Sequence, residues 1–147
     1  LAVGRGQSLD QQAHERLEGP GYVPPFSGSK QLRDTEYGVK IEFLVSGQFP
    51  GDGKPKPVAF PDPETCAEEI KGVKYLRLST LIELKLASGM TNLGRLKDLA
   101  DVQELIRVLG LPAEYAAQLN PYVQEKFKEL WLGVRNDTYG EQGQINP

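Results

Sequence analysis

Cysteine and histidine are almost absent: Cys66 and His14 are the only ones in the chain. A single cysteine cannot close an internal disulfide, so the expected compartment is a reducing cytoplasm. His14 falls in a polar stretch among Gln11, Gln12 and Glu15. With no second histidine or cysteine nearby in sequence, it reads as a surface residue rather than a metal ligand. Long apolar runs are missing too. None approaches the roughly 18 residues that a membrane helix needs, and no signal-peptide pattern opens the sequence. Nor is there an excess of positive charge, since 17 Lys and Arg face 20 Asp and Glu for a net charge of −3. That balance argues against a non-specific nucleic-acid binder, which is normally basic. It leaves room for a small anionic ligand held by a local pocket.

What is present suits one domain with a real core: 147 residues, 39% of them apolar. The most informative stretch is Thr80 to Leu109, read as two helices split at Gly89–Asn92. At 100° per residue, Leu78, Leu81, Ile82, Leu84 and Leu86 form a broad apolar arc with Lys85 near its middle. A lysine there must snorkel out or meet an anion. In the second helix Leu99, Val102, Leu105, Ile106 and Leu109 give the buried stripe. Arg95 and Asp98 share its side near the N-terminal end, Asp101 sits at the stripe's edge, and Lys97 lies beyond it. Two readings stand side by side. One is an internal ion-pair network locking the helices together. The other is a site for a phosphorylated ligand, with Lys85 and Arg95 as anion-binding groups.

Along the chain, Leu1 to Ser8 reads as a loose lead-in, and Ser8 caps a short helix from Leu9 to Glu18 that ends at Gly19-Pro20-Gly21. Tyr22 to Phe26 begins as an edge strand and is broken by Pro24-Pro25. Lys30 to Thr35, a turn at Tyr37-Gly38, and the strand Val39 to Val45 make a hairpin. Within that last strand Glu42 is either a metal-binding or catalytic acid, or a partner of Lys40 or Arg33 on a solvent-facing sheet, which the pattern favours. Ser46 to Pro63 is a long irregular loop rich in proline and glycine. Gly51-Asp52-Gly53-Lys54 in it fails as a P-loop on spacing and on Pro55, though its lysines could line a pocket. Glu64 to Arg77 contains two short strands, within Glu69–Arg77, about the turn at Lys71-Gly72. Thr80 and Glu83 suggest a capping box, with Gly89 and Gly110 as helix stops. Pro112 opens a short helix through Leu119, and Pro121 a last helix to about Gly133 with Tyr122, Phe127, Leu130 and Trp131 on its core face. The expected fold is α+β: a small mixed sheet in the first half packed with about four C-terminal helices. The expected divisions are a sheet region 1–77, a helical region 78–135 and a disordered tail 136–147.

Three segments also carry a family resemblance: Arg33–Leu44, Gly51–Pro57 and, most specifically, Leu81–Val102 with its helix lysine, Arg, Lys-Asp and second Asp. Together they resemble the later part of the nucleotidyltransferase-like superfamily, which includes DNA polymerase beta, and especially its abortive-infection toxin and uncharacterised nucleotidyltransferase branch. Such proteins hold nucleotide phosphates on a Gly-Gly or Gly-Ser turn and two divalent metals on an Asp-x-Asp strand plus a third acid. The resemblance implies Glu42 as that third, metal-binding acid and Lys85 on the triphosphate. Arg95 and Lys97 stand beside it as further phosphate-binding groups. Asp98 and Asp101 are the acids of the Lys-Asp helix, with no choice made between them. It also implies Mg2+ and a nucleoside triphosphate, with an RNA or protein acceptor.

The departure is that no Asp-x-Asp lies on a strand here. By resemblance that motif belongs upstream of Leu1, which stands where a methionine would begin a whole chain. The expectation is therefore a processed, trimmed or partial chain, not catalytic as it stands, and a nucleotidyltransferase if a longer form carries the motif. The alternative is a non-catalytic interaction or remnant domain whose buried ion pairs are structural.

Overall fold

The computed structural model describes residues 2–4, 7–27, 29 and 31–142. The chain is α+β, with small sheets in the first half and helices dominating the second. It divides into two compact units. One comprises Leu1–Gln48 and Ala59–Lys74, the other Phe49–Val58 and Tyr75–Pro147. The loop Phe49–Val58 thus belongs with the helices, an assignment its position in the sequence does not suggest.

In the first unit, strand β1 (Ala2–Gly4) precedes helix α1 (Gln7–Leu17), close to the expected span. Strands β2 (Tyr22–Val23), β3 (Leu32–Asp34) and β4 (Lys40–Ile41) form an antiparallel sheet in that order, with β2 at one edge. The expected hairpin is therefore present, registered Leu32 to Ile41 and Arg33 to Lys40. Its turn is held by Asp34, whose carboxylate accepts from the amides of Glu36 and Tyr37 at 3.1 and 2.7 Å. The expected single strand Val39–Val45 is corrected: it breaks at Glu42. Strand β5 (Phe43–Val45) leaves the sheet to pair in parallel with β1. The alternation of faces stops at that break, and the expected single mixed sheet becomes separate small ones.

His14 also needs correction. Its ring packs 5.9 Å from that of Phe43, and its Nε2 is buried without a hydrogen-bond partner. Its Nδ1 faces the Glu18 carboxylate at 3.6 Å, one turn on, while the ring packs on Phe43, so local composition misjudged this one position.

Pro63–Cys66 forms a short helix, α2, between the expected loop and the expected strands. Asp62 caps it by accepting from the Glu64 amide, and Pro63 takes the first turn. Strands β6 (Ala67–Ile70) and β7 (Val73–Leu76) then pair about Lys71-Gly72. Both turn residues have positive φ, 52° and 78°, as a two-residue hairpin turn of this hand requires.

The second unit holds helix α3 (Leu78–Thr91), a 3-10 turn (Leu93–Arg95) and helix α4 (Leu96–Leu109). A longer 3-10 segment (Ala113–Gln118) and helix α5 (Pro121–Gln142) follow. Ile82, Leu84, Leu86, Ala87, Ser88 and Gly89 are all buried, so α3 is enclosed around most of its circumference. Val102 and Ile106 continue the core on α4, while Val123, Phe127, Leu130 and Val134 do so on α5. Leu109, expected in the stripe, is exposed at the last turn, just before Gly110 closes α4. Tyr122 and Trp131 are only half-buried, and Val123 and Val134 take the central places.

Three helix-end expectations are revised. No capping box forms at Thr80, because α3 starts at Leu78. The Glu83 carboxylate instead accepts from the Asn120 amide at 2.6 Å, at the entrance to α5. Gly89 is not a stop. It lies inside α3 at a close approach, where a Cβ would fall 2.5 Å from Leu99 Cγ. Helix α5 continues past Gly133 to Gln142, and residues 143–147 lie outside the described part of the chain.

The loop Phe49–Val58 is docked rather than free. The Asn92 side-chain amide donates to the Gly51 carbonyl at 3.2 Å, and Gly51 sits against Ser88 and Thr91. A Cβ on Gly51 would come within 2.7 Å of the Ser88 carbonyl and 2.2 Å of Thr91 Oγ1, at φ +75°. Gly53 shares the positive φ, +72°, but has nothing within 4 Å of such a Cβ. Gly53→Ala therefore carries only the left-handed penalty of about 1–2 kcal/mol. Gly51→Ala adds an overpacking cost of about 1–3 kcal/mol. At roughly 2–4 °C per kcal/mol for a chain this size, Gly51→Ala is expected to melt several degrees below Gly53→Ala. Equal losses would mean that the loop does not dock through Gly51.

Candidate functional site

The charged residues singled out on α3 and α4 come together. Lys85 leaves α3 within its apolar run, and its ammonium donates to Asp98 Oδ1 at 3.2 Å and Asp101 Oδ2 at 2.7 Å. One turn on, Ser88 Oγ donates to Asp98 Oδ2 at 2.7 Å. Arg95, in the 3-10 turn, donates through Nε to the same oxygen at 2.8 Å and touches Ser88 Oγ at 3.3 Å. Lys97 completes the set with 2.8 Å to Asp101 Oδ1, an i to i+4 pair on α4.

Helical spacing explains the convergence. Asp98, Val102 and Ile106 recur every four residues and are the buried positions of α4. The carboxylate thus occupies a core position, with its side chain 7% exposed. Lys85 and Ser88 are three apart on α3 and face it together. Exposure rises outward from there, through Lys85 at 24% and Arg95 at 51% to Lys97 at 84%.

Burial pushes the Asp98 carboxyl up, but bonds from Ser88, Arg95 and Lys85 outweigh it and hold the group below its ordinary value. Lys85 and Lys97 lower Asp101 in the same way, and Asp101 in turn raises the Lys97 ammonium. Both acids are therefore ionised at neutral pH, and three cations surround two carboxylates.

Glu42, the other expected site residue, lies in the first unit. Its carboxylate pairs with Lys40 and accepts from the Gln31 side chain at 3.0 Å, the strand pairing that its sequence pattern favoured. Among the described residues, no three His, Cys, Asp or Glu side chains gather as a metal site would need. No described helix is long and apolar enough to cross a membrane.

Ser88 and Asn92 escaped the sequence reading. Ser88 is polar at a core position of an apolar helix, beside a glycine, and that was the available signal. The Asn92 side-chain oxygen accepts from the Gly94 amide at 2.9 Å and opens the 3-10 turn. A separate groove of about 500 Å³ lies between the end of α4 and α5, over Leu111, Pro112 and Trp131, and holds none of the expected site residues.

No protein-family model, curated protein or solved structure matches the chain.

Two predictions follow from the geometry. Lys85→Met removes a donor from both acids while Asp98 stays buried, whereas Lys97→Met removes only a solvent-exposed pair, which adds little to stability. Asp98 keeps Ser88 and Arg95, so the Lys85→Met loss is expected below the full cost of breaking a buried pair, at about 1–3 kcal/mol. Urea unfolding of both variants measures the difference, and equal midpoints would refute the ranking. The second concerns acid. Both acids have folded values below their unfolded ones, so their stabilisation is present above about pH 4 and lost as pH falls through the folded values. The stability gap between wild type and Asp98→Asn should thus narrow as pH drops below about 4. A gap constant from pH 7 to pH 2 would show that Asp98 is not held ionised.

Proposed function

We propose that this chain is the later part of a nucleotidyltransferase-like protein, and that the α3–α4 cluster is its triphosphate-binding edge. The supporting observation is the gradient of exposure across the cluster. Asp98 is buried and anchored, while its partner Arg95 is half-exposed and Lys97 reaches well into solvent. In this reading Asp98 and Asp101 orient cations, and the cations meet the ligand. A guanidinium fixed through Nε still carries a fork suited to phosphate oxygens. Lys85 adds a point charge behind it.

In a form that carries the Asp-x-Asp motif, which this chain lacks, the reaction is attack of an acceptor hydroxyl on the α-phosphorus of a nucleoside triphosphate. A new P–O bond forms as the hydroxyl gives its proton to water and the bond from the α-phosphorus to the bridging oxygen breaks; pyrophosphate leaves, and charge builds on it where Lys85, Arg95 and Lys97 would offset it. The acceptor is an RNA or protein hydroxyl, and the compartment is the reducing cytoplasm suggested by a single, buried cysteine. The toxin-like branch of the resemblance belongs to the same reading. Magnesium does not fit the cluster itself: the oxygens of Asp98 and Asp101 already accept from ammonium and guanidinium groups, which would oppose a cation there.

A second reading has its own support. Both oxygens of Asp98 are occupied by protein donors, as in a finished structural lock between α3 and α4. Thermal melting with ATP or inorganic triphosphate, with and without Mg2+, separates the two. Ligand at a hundredfold excess over its dissociation constant contributes about 2.7 kcal/mol, or roughly 5–10 °C here. Arg95→Gln and Lys97→Gln are expected to shrink that rise. An unchanged melting temperature at millimolar triphosphate would leave the structural lock as the function of the cluster.

A further inference from the structure

We infer that the loop Phe49–Val58 is a positioning device for Arg95, acting through Asn92, so that Lys56 and Asn92 govern anion binding without touching the anion. This rests on the triphosphate reading above for its ligand, but not for its geometry.

The loop is internally locked. The Lys56 side chain is 5% exposed, and its ammonium donates to the carbonyls of Pro50 and Lys54 at 2.7 and 2.8 Å and to Asp52 Oδ1 at 2.6 Å. Three N–H groups meet three oxygens, which is the full capacity of an ammonium. Asp52 Oδ1 also accepts from the Lys54 amide at 3.0 Å, and the Lys56 bond holds its carboxyl below the ordinary value. Lys56 lies 5.7 Å from the centre of the Phe49 ring. A stretch with alternating prolines and glycines is thereby given one conformation.

That conformation presents the Gly51 carbonyl to Asn92. The Asn92 amide is bifunctional: its nitrogen donates to Gly51, and its oxygen caps the Gly94 amide. The Asn92 backbone carbonyl accepts from the Arg95 amide at 2.8 Å. One residue therefore connects the loop to the 3-10 turn that carries Arg95. A second connection runs through Thr91, whose hydroxyl accepts from the Asp52 amide at 3.4 Å and donates to the Ala87 carbonyl at 2.7 Å. The third is Ser88, whose backbone lies against Gly51 while its hydroxyl serves Asp98 and Arg95. Arg95 sits in a short turn and is half-exposed, so its rotamer depends on these supports more than on core packing.

The experiment uses the whole chain, inorganic triphosphate as probe, and the ¹⁵N resonance of Arg95 Nε as a direct readout of its bonds to Asp98 and Ser88. Lys56→Met unlocks the loop while keeping a buried stem. Asn92→Ser retains a capping oxygen but removes the donor to Gly51. Both should weaken triphosphate binding about tenfold, the size of one well-made charge-assisted contact, and both should shift the Arg95 Nε signal. Lys54→Met, at an exposed loop position, should leave that signal in place. If wild type binds triphosphate while both variants keep its affinity and the Arg95 signal, the positioning role is overturned. If wild type binds no triphosphate, the phosphate reading fails, and the Arg95 signal alone decides: movement in both variants upholds the coupling, and no movement ends it.

Discussion

The buried carboxylate of Asp98 is the constraint on which the helical unit depends. An ionised carboxylate in a core position costs several kcal/mol unless its lone pairs are met. Here they are met by one neutral donor, Ser88, and two cationic ones, Lys85 and Arg95. These donors come from α3 and from the turn that links it to α4, so satisfying the carboxylate fixes how the two helices face each other. Gly89 enforces the same arrangement by different means. Adjacent to Ser88, it leaves the space that Leu99 fills, one residue beyond Asp98. A polar pair and an apolar pair thus specify the same register side by side.

An apolar seam between α3 and α4 would satisfy packing as well, and often at less cost than buried charge. What it would lack is a unique register, since leucines tolerate sliding by a turn where a carboxylate with three directed donors does not. The charged layer also continues outward through Asp101 and Lys97 to solvent. A purely structural lock has no need of that outer layer, because an exposed i to i+4 pair adds little stability.

Much of this was legible because helical periodicity is a strong signal. A lysine centred on an apolar arc, followed by acids on the next helix's stripe, pointed to the contacts Lys85 makes. Gly110 as a helix end and Lys71-Gly72 as a turn were equally readable, since each depends on local backbone chemistry. The failures arise where tertiary structure overrides the local rule. Thr80 and Glu83 have capping-box spacing, but Glu83 is claimed by the Asn120 amide, 37 residues away. Gly89 looks like a stop until Leu99 from another helix needs its space. Val39–Val45 has ideal alternation, yet Glu42 pairs back with Lys40 and Gln31 in the first sheet while Phe43 moves on to β1. His14 was judged by its polar neighbours, although one face of a polar helix can still rest on Phe43. The site's supporting residues were missed for the same reason. Asn92 and Lys56 have meaning only once the loop is docked, and no periodicity encodes docking.

Lys56 and Lys85 show how alike two lysines can look in sequence and how differently they are used. Both bury an aliphatic stem and bring the ammonium to carboxylate or carbonyl oxygens. Lys56 has three acceptors within 2.8 Å, two of them backbone carbonyls, and its side chain is shut away from solvent. Every donor is spent, so it can do nothing but hold the loop. Lys85 has two carboxylate acceptors and retains partial exposure. Each of its partners is shared with a second cation, Arg95 on Asp98 and Lys97 on Asp101. Neither acid therefore depends on Lys85 alone. A closed lysine and an open one are joined here by Ser88 and Asn92, so the rigidity of the first is available to set the geometry around the second.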